Sequence, residues 1–160
     1  MLGVKPRLYL ETTVPSYLTA WPSRELIVAG HQQVTREWWS SRKEAFEIYV
    51  SQFVLDEAGA GDPDVAGARL EVIDGLELLE ITDGVTELAE VLVTSGVVPA
   101  KAATDAAHIA IAAVHSMDYL MTWNCAHIAN ATMAKAIRKA CEDRGFQCPV
   151  ICTPEELLEE

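Results

Sequence analysis

The sequence is short of basic residues. It has 12 lysines and arginines against 24 aspartates and glutamates, so its formal net charge is −12 over 160 residues. A protein that coats nucleic acid through a broad basic face needs the opposite balance, and that class is therefore excluded. A metal-dependent nuclease is not excluded, because its ions offset a local group of carboxylates.

Long apolar runs and paired cysteines are also lacking. No stretch of about 18 uninterrupted apolar residues is present, and the amino terminus, MLGVKPRLYLE, lacks the apolar run and cleavage site of a signal peptide. The four cysteines show no CxxC spacing. We therefore expect free, buried thiols in a reducing compartment, and a soluble cytoplasmic protein without a membrane segment.

The hydrophobic content, 50%, is sufficient for a full core, and we expect one domain over residues 1–160. Strand-like runs are predicted at residues 7–11, 45–53, 76–81, 119–123 and 148–152. Helical patterns lie between them, at about residues 23–42, 51–57, 64–74, 85–95, 102–114 and 129–143. Strands that alternate with helices predict a parallel α/β sheet with right-handed crossovers.

The helix predicted at residues 102–114 consists almost entirely of alanine, isoleucine and valine, and should be buried on all sides. Asp105 and His108 interrupt it. Because an isolated ionised carboxylate is costly to bury, Asp105 either has a neutralising partner or lies beside a cleft that holds a cation. His108 is one turn later on the same face, where it either supports such a site or is a hydrogen-bonded core histidine.

Four oxygen-bearing side chains fall where strands end or helices begin. Glu11 ends the first strand, Glu57 is in the second turn of the helix after the second strand, and Asn124 follows the fourth strand; Asp105 completes the set. Carboxyl ends of parallel strands share one edge, so these side chains should converge. Three acids and an amide oxygen suit Mg²⁺ or Mn²⁺. Coincidence is the alternative, because 24 acids are present.

Other residues near this edge have two interpretations each. Thr12 and Thr13 could orient water or phosphate, or cap a helix. Arg24 is a candidate for binding substrate, as are three other basic residues in or just after the second helix, Arg36, Arg42 and Lys43. All four are explained equally well as solvent-exposed surface charges. The pair Cys125 and His127 does not make a zinc site without a second pair.

The sequence resembles the PIN-domain family. The resemblance rests on four stretches in the family's order, which are YLETT at residues 9–13, SQFVLDE at 51–57, DAAHIA at 105–110 and TWN at 122–124. It implies a compact α/β/α sandwich with a short, mainly parallel sheet, and a metal-dependent ribonuclease that is often the toxin of a type II toxin–antitoxin pair. The family's first acid is usually aspartate and its fourth is often aspartate, where this chain has Glu11 and Asn124.

The resemblance also implies residue roles. Glu11 and Asp105 are expected to be the main metal ligands, Glu57 a further ligand or general base, and Asn124 a ligand directly or through water. Two alternatives to the ribonuclease remain: a domain kept for binding a partner, and a metal-dependent phosphatase or phosphotransferase. The second lacks the aspartate nucleophile it needs at the end of the first strand.

The acidic edge also suggests a partner. We expect an antitoxin peptide to insert an arginine or lysine toward Glu11, Glu57 and Asp105, in addition to the RNA substrate. Exposed ion pairs contribute little alone, so apolar contacts must hold that peptide. The second helix, with Ile27, Trp38 and Trp39, is the candidate for these contacts and for homodimer packing. The plain interpretation of the two tryptophans is that they pack on the core, and exposure of one of them as a partner-binding anchor is the alternative.

Overall fold

The computed structural model describes residues 3–159 and has the expected α/β class. Its strands are β1 (Arg7–Leu10), β2 (Glu47–Ser51), β3 (Glu77–Leu79), β4 (Tyr119–Met121) and β5 (Val150–Cys152). The α-helices are α1 (Thr13–Thr19), α2 (Leu26–Ser41), α3 (Gln52–Ala58), α4 (Pro63–Ile73), α5 (Asp83–Thr94), α6 (Ala103–Val114) and α7 (Ala131–Asp143). Short 3-10 turns occur at Lys43–Ala45, Ala100–Ala102 and Pro154–Leu157.

The five strands form one sheet in the order β3-β2-β1-β4-β5, and every pairing is parallel. The chain leaves central β1 toward β2 and β3 on one side, then returns to place β4 on the other side. This reversal beside β1 is the position at which open α/β sheets form a crevice at the carboxyl ends of their strands. Glu11, directly after β1, therefore lies at that crevice.

The helices cover the sheet in two groups, which confirms the three-layer α/β/α sandwich. Helix α1 contacts both α2 and α4, and α5 contacts both α6 and α7. Helix α3 contacts α4 and α6 and so connects the two groups. The core lies between these layers, because β1 and α6 are buried along most of their length.

Helix α6 is buried on all sides, as its composition predicts. Its residues 106–113 are buried without interruption. Each of its isoleucines contributes about 1.5–3 kcal/mol through removal of apolar surface from water. Asp105, in the first turn, keeps 17% of its side chain exposed, so its carboxylate is at the margin of the core.

Two predicted boundaries differ for an identifiable reason. Helix α2 begins at Leu26 rather than at residue 23 or 24, because the side chain of buried Gln32 binds the backbone of Trp21 and Ser23 and keeps that segment in a loop. Strand β4 ends at Met121 rather than at residue 123. The N–H of Trp123 donates to the Thr13 hydroxyl at 2.8 Å instead of to a neighbouring strand.

Trp38 packs on the core, as the plain interpretation of the two tryptophans predicts, so the alternative of a partner contact at this residue was wrong. Its side chain is completely buried and packs against Phe46, and its indole N–H has no hydrogen-bond partner among residues 3–159. Trp39 is half-buried, with the ammonium of Lys43 4.4 Å from its ring centre. Ile27, by contrast, is 73% exposed and available for contact.

The four cysteines are free, as predicted, although not all are buried. Cys141 and Cys152 are buried, Cys148 is half-buried and Cys125 is exposed. Burial, together with the nearby carboxylate of Glu156, raises the pKa of Cys152 to about 12. Within residues 3–159, no helix combines the length and the apolarity that a membrane crossing requires.

Candidate metal centre

Two acids and a histidine converge at the carboxyl edge of the sheet. Glu11 directly follows β1, Glu57 is in the second turn of α3 after β2, and His108 is in the second turn of α6. One carboxylate oxygen from each acid and one ring nitrogen of His108 all lie within 4.8 Å of one another. These three residues are called the acid–histidine cluster below. The cluster could hold a metal ion.

Glu11 is held rigidly although it is a carboxylate in the core. Its side chain is buried, and its Oε1 accepts hydrogen bonds from the Thr13 N–H at 3.0 Å and from the Thr122 hydroxyl at 2.7 Å. The Thr13 hydroxyl also donates to Oε1. These three donors converge on one oxygen and fix the orientation of the Glu11 carboxylate.

Glu57 makes two short hydrogen bonds through one oxygen. The Thr12 hydroxyl donates to its Oε1 at 2.6 Å, and the Nε2 of His108 is also 2.6 Å away. Partial burial opposes ionisation, but the hydrogen bond and charge of His108, with the bond from Thr12, outweigh it, and the pKa of Glu57 is lowered. Glu57 is therefore an anion at neutral pH.

His108 connects the cluster to the core. It is completely buried, and its Nδ1 lies 2.7 Å from the Tyr9 hydroxyl, which in turn lies 2.7 Å from the Ser51 hydroxyl. Burial, above all, raises the pKa of Tyr9 despite the hydrogen bond from Ser51, so Tyr9 is a neutral phenol. The chain from Ser51 through Tyr9 and His108 fixes the ring that orients Glu57.

Asp105 and Asn124 form an adjoining group through His127. The Oδ2 of Asp105 lies 3.1 Å from the Nδ1 of His127, and the backbone N–H of His127 donates to the Oδ1 of Asn124 at 3.0 Å. The N–H of Asn124 donates to the Thr122 hydroxyl at 2.9 Å. Since Thr122 donates to Glu11, the two groups share one hydrogen-bond network.

The predicted site residues therefore fall into three sets. Glu11 and Glu57 meet directly, with Thr12 and Thr13 bonded to them. Asp105 lies one helical turn before His108. Asp105 and Asn124 are not members of the acid–histidine cluster, but the hydrogen-bond network joins them to it. Arg24 is exposed in the loop before α2.

Sequence reasoning placed His108 beside the site, either as a supporting residue or as a hydrogen-bonded core histidine, but it missed the roles of Thr122 and His127. For His108 the signal was present, because it lies one turn after Asp105 on the same helix face. His127 was considered only as a soft ligand beside Cys125, whereas it contacts Asp105. Nothing in the sequence distinguishes Thr122 from other threonines; its role follows from the pairing of β4 with β1.

The donor set fits a divalent ion. Two carboxylate oxygens are the hard ligands that Mg²⁺ and Mn²⁺ prefer, while an imidazole extends the choice to softer ions. Both ring nitrogens of His108 already have partners, namely Tyr9 and Glu57. His108 is thus best placed to position Glu57, and the acids to contact the ion.

No family model, curated protein or solved structure matches this chain. The likeness to a family therefore rests on the four sequence stretches, and the chemistry rests on the site itself.

Proposed function

We propose that this protein is a metal-dependent endoribonuclease that hydrolyses RNA phosphodiester bonds with Mg²⁺ or Mn²⁺. The observation that carries the proposal is the convergence of Glu11, Glu57 and His108 within 4.8 Å at the crevice beside β1. A group of carboxylates at such a crevice is suited to a cation and, through it, to a phosphate. The resemblance to PIN domains supports RNA as the substrate.

In this proposal the residues of the site have separate roles. Glu11 and Glu57 hold the ion, with Asp105 and Asn124 contributing directly or through water. When bound, the ion lowers the pKa of a water molecule and offsets charge on the phosphate oxygens. Thr13 and Thr122 keep Glu11 in place, and His108 keeps Glu57 in place. Glu57 acts as a ligand or as the general base, and its Oε2 is the oxygen that Thr12 and His108 do not contact.

The first test compares neighbouring acids on helix α3. Glu57→Gln removes a charged ligand and should lower RNA cleavage by at least about a hundredfold, because the ion's charge stabilisation contributes several kcal/mol. Asp105→Asn should act in the same direction. Asp56→Asn is the matched control, because Asp56 is exposed and contacts Gln52 instead of the cluster. Cleavage by Glu57→Gln at the wild-type rate would contradict the assignment.

We also propose that the enzyme is the toxin of a cytoplasmic toxin–antitoxin pair, inhibited by a partner that inserts an arginine or lysine toward Glu11, Glu57 and Asp105. The exposed side chains of Leu26 and Ile27 offer apolar contacts for that partner or for a second copy of the chain. Co-expression with the neighbouring gene product tests this. Binding that is unaffected both by Ile27→Ala and by removal of the partner's arginines would exclude the inhibited-toxin model.

A binding module without activity is the second candidate, and one observation favours it. Glu11, Glu57 and Asp105 each have a protein donor or histidine partner, so the site is satisfied without an ion. Isothermal titration with Mn²⁺ separates the two functions. The nuclease requires saturable binding that Glu57→Gln weakens, whereas the binding module requires none.

A further inference from the structure

Three aromatic rings lie parallel beside the acid–histidine cluster. The rings of His31 and Trp123 have centres 4.0 Å apart and planes 13° apart, and Tyr17 lies 5.9 Å from Trp123 at 15°. Tyr17 and His31 are half-buried, whereas Trp123 is almost completely buried. The Trp123 indole N–H donates to the Thr35 hydroxyl at 2.7 Å, which fixes the position of the Trp123 ring.

This aromatic platform, comprising Tyr17, His31 and Trp123, is joined directly to the acids. The backbone N–H of Trp123 donates to the Thr13 hydroxyl, which donates to Glu11. Tyr17 is four residues after Thr13 in α1, so it lies one turn away on the same helix face. The platform therefore begins within about one helical turn of the candidate metal centre.

A fourth aromatic residue extends toward solvent from the adjoining loop. Trp21 is 90% exposed, yet its backbone is fixed, because its carbonyl accepts a hydrogen bond from buried Gln32, the residue after His31. Because it is uncovered, the Trp21 side chain contributes little to the packing of the fold. Exposed Arg24, three residues later, is the adjacent positive charge.

The low content of basic residues favours an RNA-binding surface that does not depend on phosphate charge. Electrostatic binding of RNA comes from lysines and arginines that release counterions from phosphates, and a chain with net charge −12 has few of them. Aromatic rings bind unpaired bases by stacking, which is largely independent of sequence and of phosphate charge.

We propose that Tyr17, His31 and Trp21, backed by Trp123, form a stacking site for unpaired nucleic-acid bases beside the candidate metal centre. The identity of the ligand rests on the proposed function. The site predicts binding that depends on bases more than on charge, with weak salt dependence.

Fluorescence anisotropy with a labelled single-stranded RNA tests the site without turnover, in EDTA and again in Ca²⁺. An abasic strand of equal length and the duplex form are the control ligands. Tyr17→Leu and His31→Leu should each weaken binding of the single strand about tenfold. Trp21→Ala should weaken binding severalfold, and because Trp21 is 90% exposed, this substitution should leave the fold intact. Tyr49→Leu, a half-buried tyrosine against Arg7, is the matched control and should bind normally.

Two outcomes would overturn the stacking site. The first is that Tyr17→Leu, His31→Leu and Trp21→Ala each bind the RNA with wild-type affinity. The second is that the wild type binds the RNA and the abasic strand equally well, or binds neither. Failure of the proposed nuclease is a separate result. Base-dependent binding without metal-dependent cleavage would keep the stacking site and remove the enzyme.

Discussion

At the scale of single residues, the site is organised by hydroxyl groups. Thr12, Thr13 and Thr122 donate to the two cluster carboxylates, and Tyr9 joins His108 to Ser51. Threonine hydroxyls beside Glu11 were predicted either to serve the site or to cap a helix. The described contacts favour the first, because Thr12, the residue before α1, makes no side-chain cap and instead donates to Glu57.

Tyr9→Phe tests whether this network contributes to stability. It removes one hydroxyl and leaves the Nδ1 of His108 and the Ser51 hydroxyl buried without their shared partner. We expect a loss of about 1–3 kcal/mol in the free energy of unfolding, measured by urea denaturation. Tyr49→Phe, at a half-buried position, should cost much less. Equal losses of unfolding free energy in the two variants would show that the buried network contributes no additional stability.

The acids illustrate how far the sequence was informative. Their placement at strand and helix ends predicted that Glu11 and Glu57 would meet, and they do. Asp105 does have a partner within hydrogen-bonding distance, but that partner is His127, 22 residues away in sequence. Asp118 accepts a hydrogen bond from the Arg7 N–H at 2.8 Å, so Asp56 is the better control for substitution of the acids.

At the scale of elements, hydrophobic periodicity predicted the strands and most helices correctly, because burial on one or both faces leaves a regular pattern. Boundaries were less accurate where a side chain binds the backbone. Gln32 keeps the segment before α2 in a loop, and Thr13 ends β4. Such bonds join residues that are distant in sequence, so no local pattern reveals them.

Helix α2 provides the prediction at this scale. Trp38→Ala should lower the free energy of unfolding by about 3–5 kcal/mol, because it empties a fully buried site. Ile27→Ala, on the exposed first turn, should change it by no more than about 0.5 kcal/mol. Chemical denaturation measures both. A Trp38→Ala protein as stable as Ile27→Ala would mean that Trp38 is not in the core.

At the scale of the whole molecule, acidic charge and metal binding are linked. Carboxylates that repel one another in the free protein are relieved by a bound cation, and an ion that binds only the folded state stabilises it by mass action. Mn²⁺ at about 100 times its dissociation constant should add roughly 2.7 kcal/mol, which is roughly 5–10 °C in the melting temperature for a chain of this size. In Glu57→Gln, Mn²⁺ should raise the melting temperature much less. An equal rise in the variant and the wild type would mean that the ion binds elsewhere.

The most direct measurement is RNA cleavage by the purified protein before and after removal of divalent ions. We predict that single-stranded RNA is cut in Mg²⁺ or Mn²⁺, that EDTA stops the reaction, and that added Mn²⁺ restores it in the wild type but not in Glu57→Gln. Cleavage that continues undiminished in EDTA would contradict the metal-dependent mechanism, and the absence of cleavage in all conditions would contradict the nuclease.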